Sequence, residues 1–352
     1  MIRRLHRVSQ IVNKRFKHHD VRELPEKIRP RYSQNSDTKM YSLDWGFTRP
    51  RNVLFIKKPF LPTVRNATID VMRHVKQTYP DVNMLVEPDV EEELDQTASD
   101  LDTFSGSHKD LVNKADMLVT FGGDGTILHA VSLFSQIDEV PPILSFSMGT
   151  LGFLLPFNIA EHASALDHAL NGSAPLLNRM RLSCTRSNSH TVQRAMNEIH
   201  LHRGRAPHLL RLNIYVNDAF VTEAVADGIL VSTPTGSTAY SLSAGGSIVH
   251  PRVPCILLTP ICPRSLSFRP LIFPCTDRIR LTVSEESRGE GAECSVDGQL
   301  LGLLKRGESM EVQAAGSNST DVWCFEHSER DWISGLNELL RFNATFGAPN
   351  DP

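Results

Sequence analysis

The 352-residue sequence predicts an α/β N-terminal domain on a parallel sheet of Rossmann or flavodoxin type, followed by a mainly antiparallel β C-terminal domain. Three observations predict it. Apolar runs of strand type alternate with helix-spaced segments from Val53 onward. The clearest buried run, ADMLVTF at 115–121, ends in a glycine-rich turn that opens a helical segment. Beyond about Asn178 the apolar period switches from helical spacing to two.

In order, VLFIKK from Val53 reads as a first strand, and Ile69, Met72, Val75 and Tyr79 follow at helical spacing. NMLVE is a second strand, and the acidic stretch from Glu87 to Asp102 is a solvated loop or helix face. After ADMLVTF come TILHAVSLF as a helix, PPILSF as a strand, and AEHASALDHALNG as a short helix closed by Gly172. Leu212, Ile214 and Val216 then alternate with polar residues up to a turn at Asn217–Asp218. Ile279, Leu281 and Val283 alternate in the same way, as do Met310 and Val312. DWISGLNELLRF returns to helical spacing and is expected to pack back on the first domain. These patterns divide the chain into a segment 1–48, an α/β domain 49–177 completed by 320–345, and a β-rich domain 178–319.

The first segment has two textures. Before the first acid, Asp20, stand Arg3, Arg4, Arg7, Lys14, Arg15 and Lys17, beside an apolar stripe of Ile2, Leu5, Val8, Val12 and Phe16. This acid-free amphipathic start resembles a mitochondrial transit peptide and predicts the matrix; the alternative is a basic tail on a cytoplasmic protein. Residues 20 to about 48 are polar and proline-containing and read as a linker. A formal net charge of −3 gives no case for nucleic acid as a partner. No apolar run approaches the roughly 20 residues that span a bilayer. The six cysteines contain no CxxC pair, so reduced thiols are expected, with Cys255, Cys262 and Cys275 as packing residues.

Four stretches carry chemistry. Gly122-Gly123-Asp124-Gly125-Thr126 follows a buried strand, where glycines let backbone N–H groups approach phosphate oxygens. A carboxylate among phosphate-binding glycines is repulsive unless it holds a metal or accepts a proton, the two roles that phosphoryl transfer to a hydroxyl needs. A tight turn with Asp124 as helix cap is the alternative. Asp227-Gly228-Ile229 leads by a strand into TPTGSTAYSLSAGG, from Thr233 to Gly246, a run of hydroxyls and glycines with Tyr240 able to pack on a base. Asn197-Glu198 opens NEIHLHRG, where Glu198, His200 and His202 share one strand face, either as a polar surface or as metal ligands. Ser295-Val296-Asp297-Gly298-Gln299 has the form of a hairpin turn.

GGDGTILHA, SMGTLGFLLPF, NEIHLHRG, DGILVSTPTGSTAYSLSAGGSIVHP, TPICPRSLSFRPLIFP and SVDGQ, in this order, resemble the NAD kinase family from about Val53 to Trp332. With the presequence-like start, the resemblance is greatest to fungal mitochondrial members. It implies an ATP-dependent kinase that phosphorylates the adenosine-ribose 2′-hydroxyl of NADH or NAD, with Mg²⁺ carried by ATP. By the same resemblance Asp124 is the catalytic proton acceptor, and Gly122, Gly123 and Gly125 bind diphosphate. His129, Asn197, Glu198, Asp227, Thr235, Thr238, Ala239, Tyr240, Ser241, Leu242, Ser243 and Gln299 match family ligand contacts, Leu242 through backbone or packing alone. Leu151 and Phe153 are expected to wall the adenine. Small-molecule nucleotides are the implied partners, without nucleic acid or membrane, in a homo-oligomer. A GGDG-type lipid or sugar-phosphate kinase and a non-catalytic dinucleotide sensor are the competing readings.

Overall fold

The computed structural model describes residues 19–36, 40–149, 152–316, 320–328 and 331–340. The presequence-like stretch, as far as residue 18, lies outside them. Six parallel strands run side by side: His19–Asp20, Thr103–Ser105, Asn83–Val86, Asn52–Lys57, Met117–Gly122 and Ile143–Ser147. Asn52–Lys57 and Met117–Gly122 are buried at every position, as expected of strands covered on both faces. Helix Pro62–Thr78 starts on proline, whose missing N–H costs nothing at a helix start, and buries Ile69, Met72 and Val75 against the sheet. Each such side chain, fully buried, contributes about 1.5–3 kcal/mol.

The sheet is completed by distant segments. Val322–Phe325 joins it parallel to Ile143–Ser147, and Leu176–Arg179 pairs antiparallel on its other side. Helix Asp331–Leu340 follows, with Trp332 and Gly335 lining a cavity of about 170 Å³ beside Gly152 and Phe153 of the first domain.

The segment read as a linker is structured, which corrects the sequence expectation. His19–Asp20 pairs with Thr103–Ser105 at one edge, and the hairpin Arg31–Gln34/Tyr41–Asp44 pairs with Leu176–Arg179 at the other. These edge strands are short and largely polar, so they carry no apolar alternation. Asp116 fixes the segment: its buried carboxylate accepts the N–H groups of Ile28 (2.7 Å), Arg51 (2.8 Å) and Asn52 (2.9 Å). The Asn52 amide in turn donates to the carbonyls of Pro25 and Lys114.

Among the described residues, the second domain consists of two six-stranded antiparallel sheets. One carries Leu182–Arg186, Leu210–Val216, Ile279–Val283 and Ser309–Ala314; the other carries Glu198–His202, Gly228–Ser232, Cys255–Ile261 and Gly291–Val296. Leu182, Leu212, Leu281 and Met310 of the first meet Ile199, Leu201, Ile229 and Ile256 of the second in one core. The expected turn at Asn217–Asp218 is present, with φ of 50° and 68°, the pair of positive values that tight hairpins demand. Cys184, Cys255, Cys294 and Cys324 are buried free thiols; Cys262 is exposed and Cys275 half-buried, so these two do not serve as core packing.

Arg181 ties the domains together. It is fully buried, and its guanidinium donates to the carbonyls of Phe134, Ile137, Asp138 and Thr320. Burial lowers its pKa to about 10, so it remains charged at neutral pH.

Asp116→Ala should lower the free energy of unfolding by about 2–4 kcal/mol, because three backbone donors lose their acceptor. Chemical denaturation checks this; an unchanged midpoint would show that the 19–48 segment does not depend on Asp116.

Candidate active site

From Asn52–Lys57 the chain builds outward to Asn83–Val86 and Thr103–Ser105, then returns to place Met117–Gly122 on the other side. The carboxyl ends of Asn52–Lys57 and Met117–Gly122 therefore flank the switch point, where open α/β sheets bind ligands. The GGDG turn sits there. A Cβ on Gly122 would fall 2.2 Å from the Thr126 hydroxyl and 3.1 Å from the Lys58 Cβ, so only glycine fits. A Cβ on Gly123 or Gly125 would meet nothing within 4 Å, so both face open space. Gly123 caps helix Asp124–Ser132, whose unpaired N–H groups and positive dipole end favour an anion.

Asp124 is the first residue of that helix, and its carboxylate turns toward the following loop. It accepts the N–H groups of Phe153 and Leu154, each at 3.1 Å. A Cβ on Gly152 would fall 2.1 Å from the Asp124 Oδ1, so this loop approaches only because residue 152 is glycine. Burial raises the Asp124 pKa above the ordinary carboxylate value, opposed by the two amides and by the charge of Arg179. Arg179 is itself buried and paired with Glu326 at 3.0 Å, both lining the cavity beside Gly152. Burial pushes Glu326 up to about 7.

The second half of the site lies on strand Glu198–His202 and on the loop after Gly228–Ser232. Met196, just before it, shares a core with Ile127 of the Asp124 helix and with Leu154 and Leu155. Thr233 clasps this stretch, donating its N–H to the Asn197 carbonyl (2.9 Å) and its hydroxyl to the Met196 carbonyl (2.6 Å). A Cβ on Gly236 would lie 2.2 Å from the Asn197 carbonyl oxygen, so TPTG lies directly on that backbone. From below, Asp297 accepts the N–H groups of Met196 (2.7 Å), Asn197 (2.8 Å) and Glu198 (3.0 Å). Asp297 and Gly298 form the expected hairpin turn, with φ of 46° and 80°.

Five buried polar atoms here have no hydrogen-bond partner: Asn197 Oδ1, Glu198 Oε2, His200 Nε2, Ser232 Oγ and Thr235 Oγ1. Buried polar atoms are normally paired, so these five are open to a polar ligand. Tyr240 is exposed, its ring edge-on to His200 at 5.3 Å. Burial raises Glu198 to about 7, with Asp297 adding to it, and lowers His200 to about 4.

The remaining expected residues divide. Thr238 donates to the Thr235 carbonyl (3.1 Å), and the buried Ser241 hydroxyl is engaged with Thr259 (2.8 Å), so it shapes the loop. Ala239 and Leu242 are half-buried; Ser243 and Gln299 are exposed. Asp227, before the first residue of its strand, holds Arg203 at 2.5 Å. His129 is turned to Glu87 (2.9 Å), an interaction that raises its pKa. Phe153 is half-buried and reaches Asp124 through its amide; Leu151 lies outside the described residues. The sequence reading missed Gly152 and Asp297, although both stand inside quoted motifs. A separate cavity of about 340 Å³, lined by Tyr32, Tyr41 and Trp323, opens at the amino ends of the parallel strands and contains none of these residues.

Glu198 gives the site a pH signature. Its folded pKa of about 7 exceeds the unfolded value of 4.5, so the folded chain holds more protons between them. Glu198's own contribution to stability therefore falls as pH rises through that window, while His200, lowered to about 4, contributes in the opposite sense. The melting temperature of Glu198→Gln relative to wild type should therefore rise from the lower of these two pH values to the higher; a difference that does not change with pH contradicts the assignment.

Family models for the ATP-NAD kinase N-terminal and C-terminal domains match residues 53–174 and 196–322. The mitochondrial NADH kinase POS5 of Saccharomyces cerevisiae is 41% identical over 88% of this chain and 84% of its own. The mitochondrial NADH kinase pos5 of Schizosaccharomyces pombe is 45% identical over 84% of this chain and 76% of its own. The crystal structure of yeast NADH kinase complexed with NADH superposes with a TM-score of 0.87 at 42% identity, covering 94% of this chain and 98% of that one. An NAD kinase from Archaeoglobus fulgidus, solved in complex with ATP, shares the fold at 22% identity and a TM-score of 0.63, over 82% of this chain and 98% of that one. With both domain models matched in order and relatives above 40% identity along most of its length, the chain belongs to the ATP-NAD kinase family.

Proposed function

We propose that this chain transfers the γ-phosphoryl group of ATP to the 2′-hydroxyl of the adenosine ribose of NADH and NAD, giving NADPH and NADP. The observation that carries the reading is the Asp124 carboxylate, held by two backbone amides beside an open glycine turn at the switch point. A carboxylate fixed in this way speaks for chemistry rather than for a binding-only scaffold.

In the transfer, the bond from the γ-phosphorus to the ADP oxygen breaks and a bond from the ribose 2′-oxygen to that phosphorus forms. The hydroxyl proton passes to Asp124, whose elevated pKa makes it a better acceptor late in the step. Gly123, Gly125 and the helix N-terminus receive phosphate oxygens. Asn197, Glu198, Ser232 and Thr235 hold the dinucleotide through the polar atoms that lack partners in the protein. Tyr240 packs on a base, and Asp227 and Gln299 complete the outer contacts. Magnesium enters with the donor as part of the substrate and neutralises phosphate charge.

The wider assignments belong to the same reading. The α/β unit spans 49–177 and is completed by 320–345, with 178–319 as the dinucleotide-binding unit. The Arg-rich start directs the protein to mitochondria, where its product supplies NADPH, and the chain works as a homo-oligomer.

Asp124→Asn keeps the side chain's shape and removes the proton acceptor. It should lower kcat for both NADH and NAD by about 10²–10⁴-fold, while NADH binding, read by fluorescence, persists. Undiminished turnover in this variant contradicts the role of Asp124.

A further inference from the structure

Lys58 is the first residue after strand Asn52–Lys57, across the switch point from the GGDG turn. Its N–H donates to the Phe121 carbonyl at 2.9 Å, which fixes it beside the end of the neighbouring strand. Its side chain starts beside Gly122: a Cβ on residue 122 would fall 3.1 Å from the Lys58 Cβ. The lysine stem therefore leaves the backbone against the first glycine of the turn that carries Asp124. The loop onward, Pro59–Leu61, ends at Pro62 in helix Pro62–Thr78, so prolines restrict it on both sides of Phe60.

Neighbouring basic side chains near the carboxyl ends of these strands face carboxylates. Lys57 is buried and paired with Glu93, Arg65 lies 4.0 Å from the same carboxylate, and His129 and His108 both face Glu87. Lys58 is exposed, and among the described residues it has no carboxylate partner. A lysine against a glycine turn at a helix N-terminus matches a phosphate chain in charge, donor number and place.

We infer that Lys58 is the donor-side cation of the transfer, its ammonium contacting the β- and γ-phosphate oxygens of ATP laid over Gly122–Gly125. The inference rests on the kinase reading above and adds a residue to it. When the bond between the γ-phosphorus and ADP breaks, negative charge accumulates on the departing β-phosphate oxygen. The Lys58 ammonium offsets that charge, while the proton of the ribose hydroxyl goes to Asp124. Lys58 gives up no proton in the step. Asp124 serves the acceptor and Lys58 the donor.

The test compares full-length wild type, Lys58→Ala and Lys58→Arg. MgATP is titrated at saturating NADH, NADH affinity is read by fluorescence, and MgATP binding is measured by calorimetry. In Lys58→Ala, kcat/KM for ATP should fall on the order of ten- to a hundredfold, the loss expected for a charge-assisted hydrogen bond. NADH affinity should be unchanged, and Lys58→Arg should recover most of the loss. Unaltered ATP kinetics in Lys58→Ala overturns the inference, as does an equal loss of NADH binding, which would make the residue structural. If wild type transfers no phosphate, the kinase reading itself fails. Calorimetry then still decides Lys58: weaker MgATP binding by the alanine variant supports it, and equal binding overturns it.

Discussion

The Asp124 carboxylate has room for its amide partners only because residue 152 is glycine. A Cβ there would stand 2.1 Å from Oδ1, well inside contact distance, and would push the loop off the two N–H groups that orient the carboxylate. Much of the first domain's architecture leads to this contact. The parallel sheet brings the GGDG turn to the open end of a buried strand, and the helix behind it fixes where Asp124 begins. Arg179, held by Glu326, places a positive charge behind the same carboxylate and moderates the rise in pKa that burial imposes. Glu326 follows Val322–Phe325, so the last strand among the described residues is part of the electrostatic support of the GGDG motif.

The two halves of the site are joined by buried polar groups rather than by a flexible hinge sequence. Arg181 grips carbonyls at the far end of the Asp124 helix, and Met196 packs beneath that helix. From Met196 itself onward, Asp297 takes three consecutive N–H groups of the Met196–Glu198 stretch. That backbone is therefore held from one side by Asp297 and from the other by Thr233. The result leaves the Asn197 and Glu198 side chains oriented with polar atoms unspent, which is preorganisation for a ligand. Burying these groups unpaired costs stability in the free protein, a trade expected where binding recovers it.

What was legible in the sequence follows from locality. Strands Asn52–Lys57 and Met117–Gly122 announce themselves as unbroken apolar runs because both faces are covered, and Leu210–Val216 alternates because one face is not. The GGDG turn stands out because its glycines and acid are contiguous. The edge strands between His19 and Asp44 were invisible, being two to four residues long and largely polar; they exist through Asp116, some 90 residues from Ile28. Asp297 read as a turn residue, which it is, while its grip on residues a hundred positions earlier leaves no local trace. Ser241 and His129 match family ligand contacts by position in the sequence, and neither the Ser241–Thr259 pairing nor the turn of His129 to Glu87 is visible there.

The central claim is that this scaffold presents one ribose hydroxyl to Asp124. The direct test is to incubate the protein with MgATP and NADH, isolate the dinucleotide product, and locate the new phosphate by phosphorus NMR. The account predicts NADPH, with phosphate on the adenosine 2′-oxygen, and no product from an analogue lacking that hydroxyl. Phosphate on another oxygen, or transfer to the 2′-deoxy analogue, would contradict it.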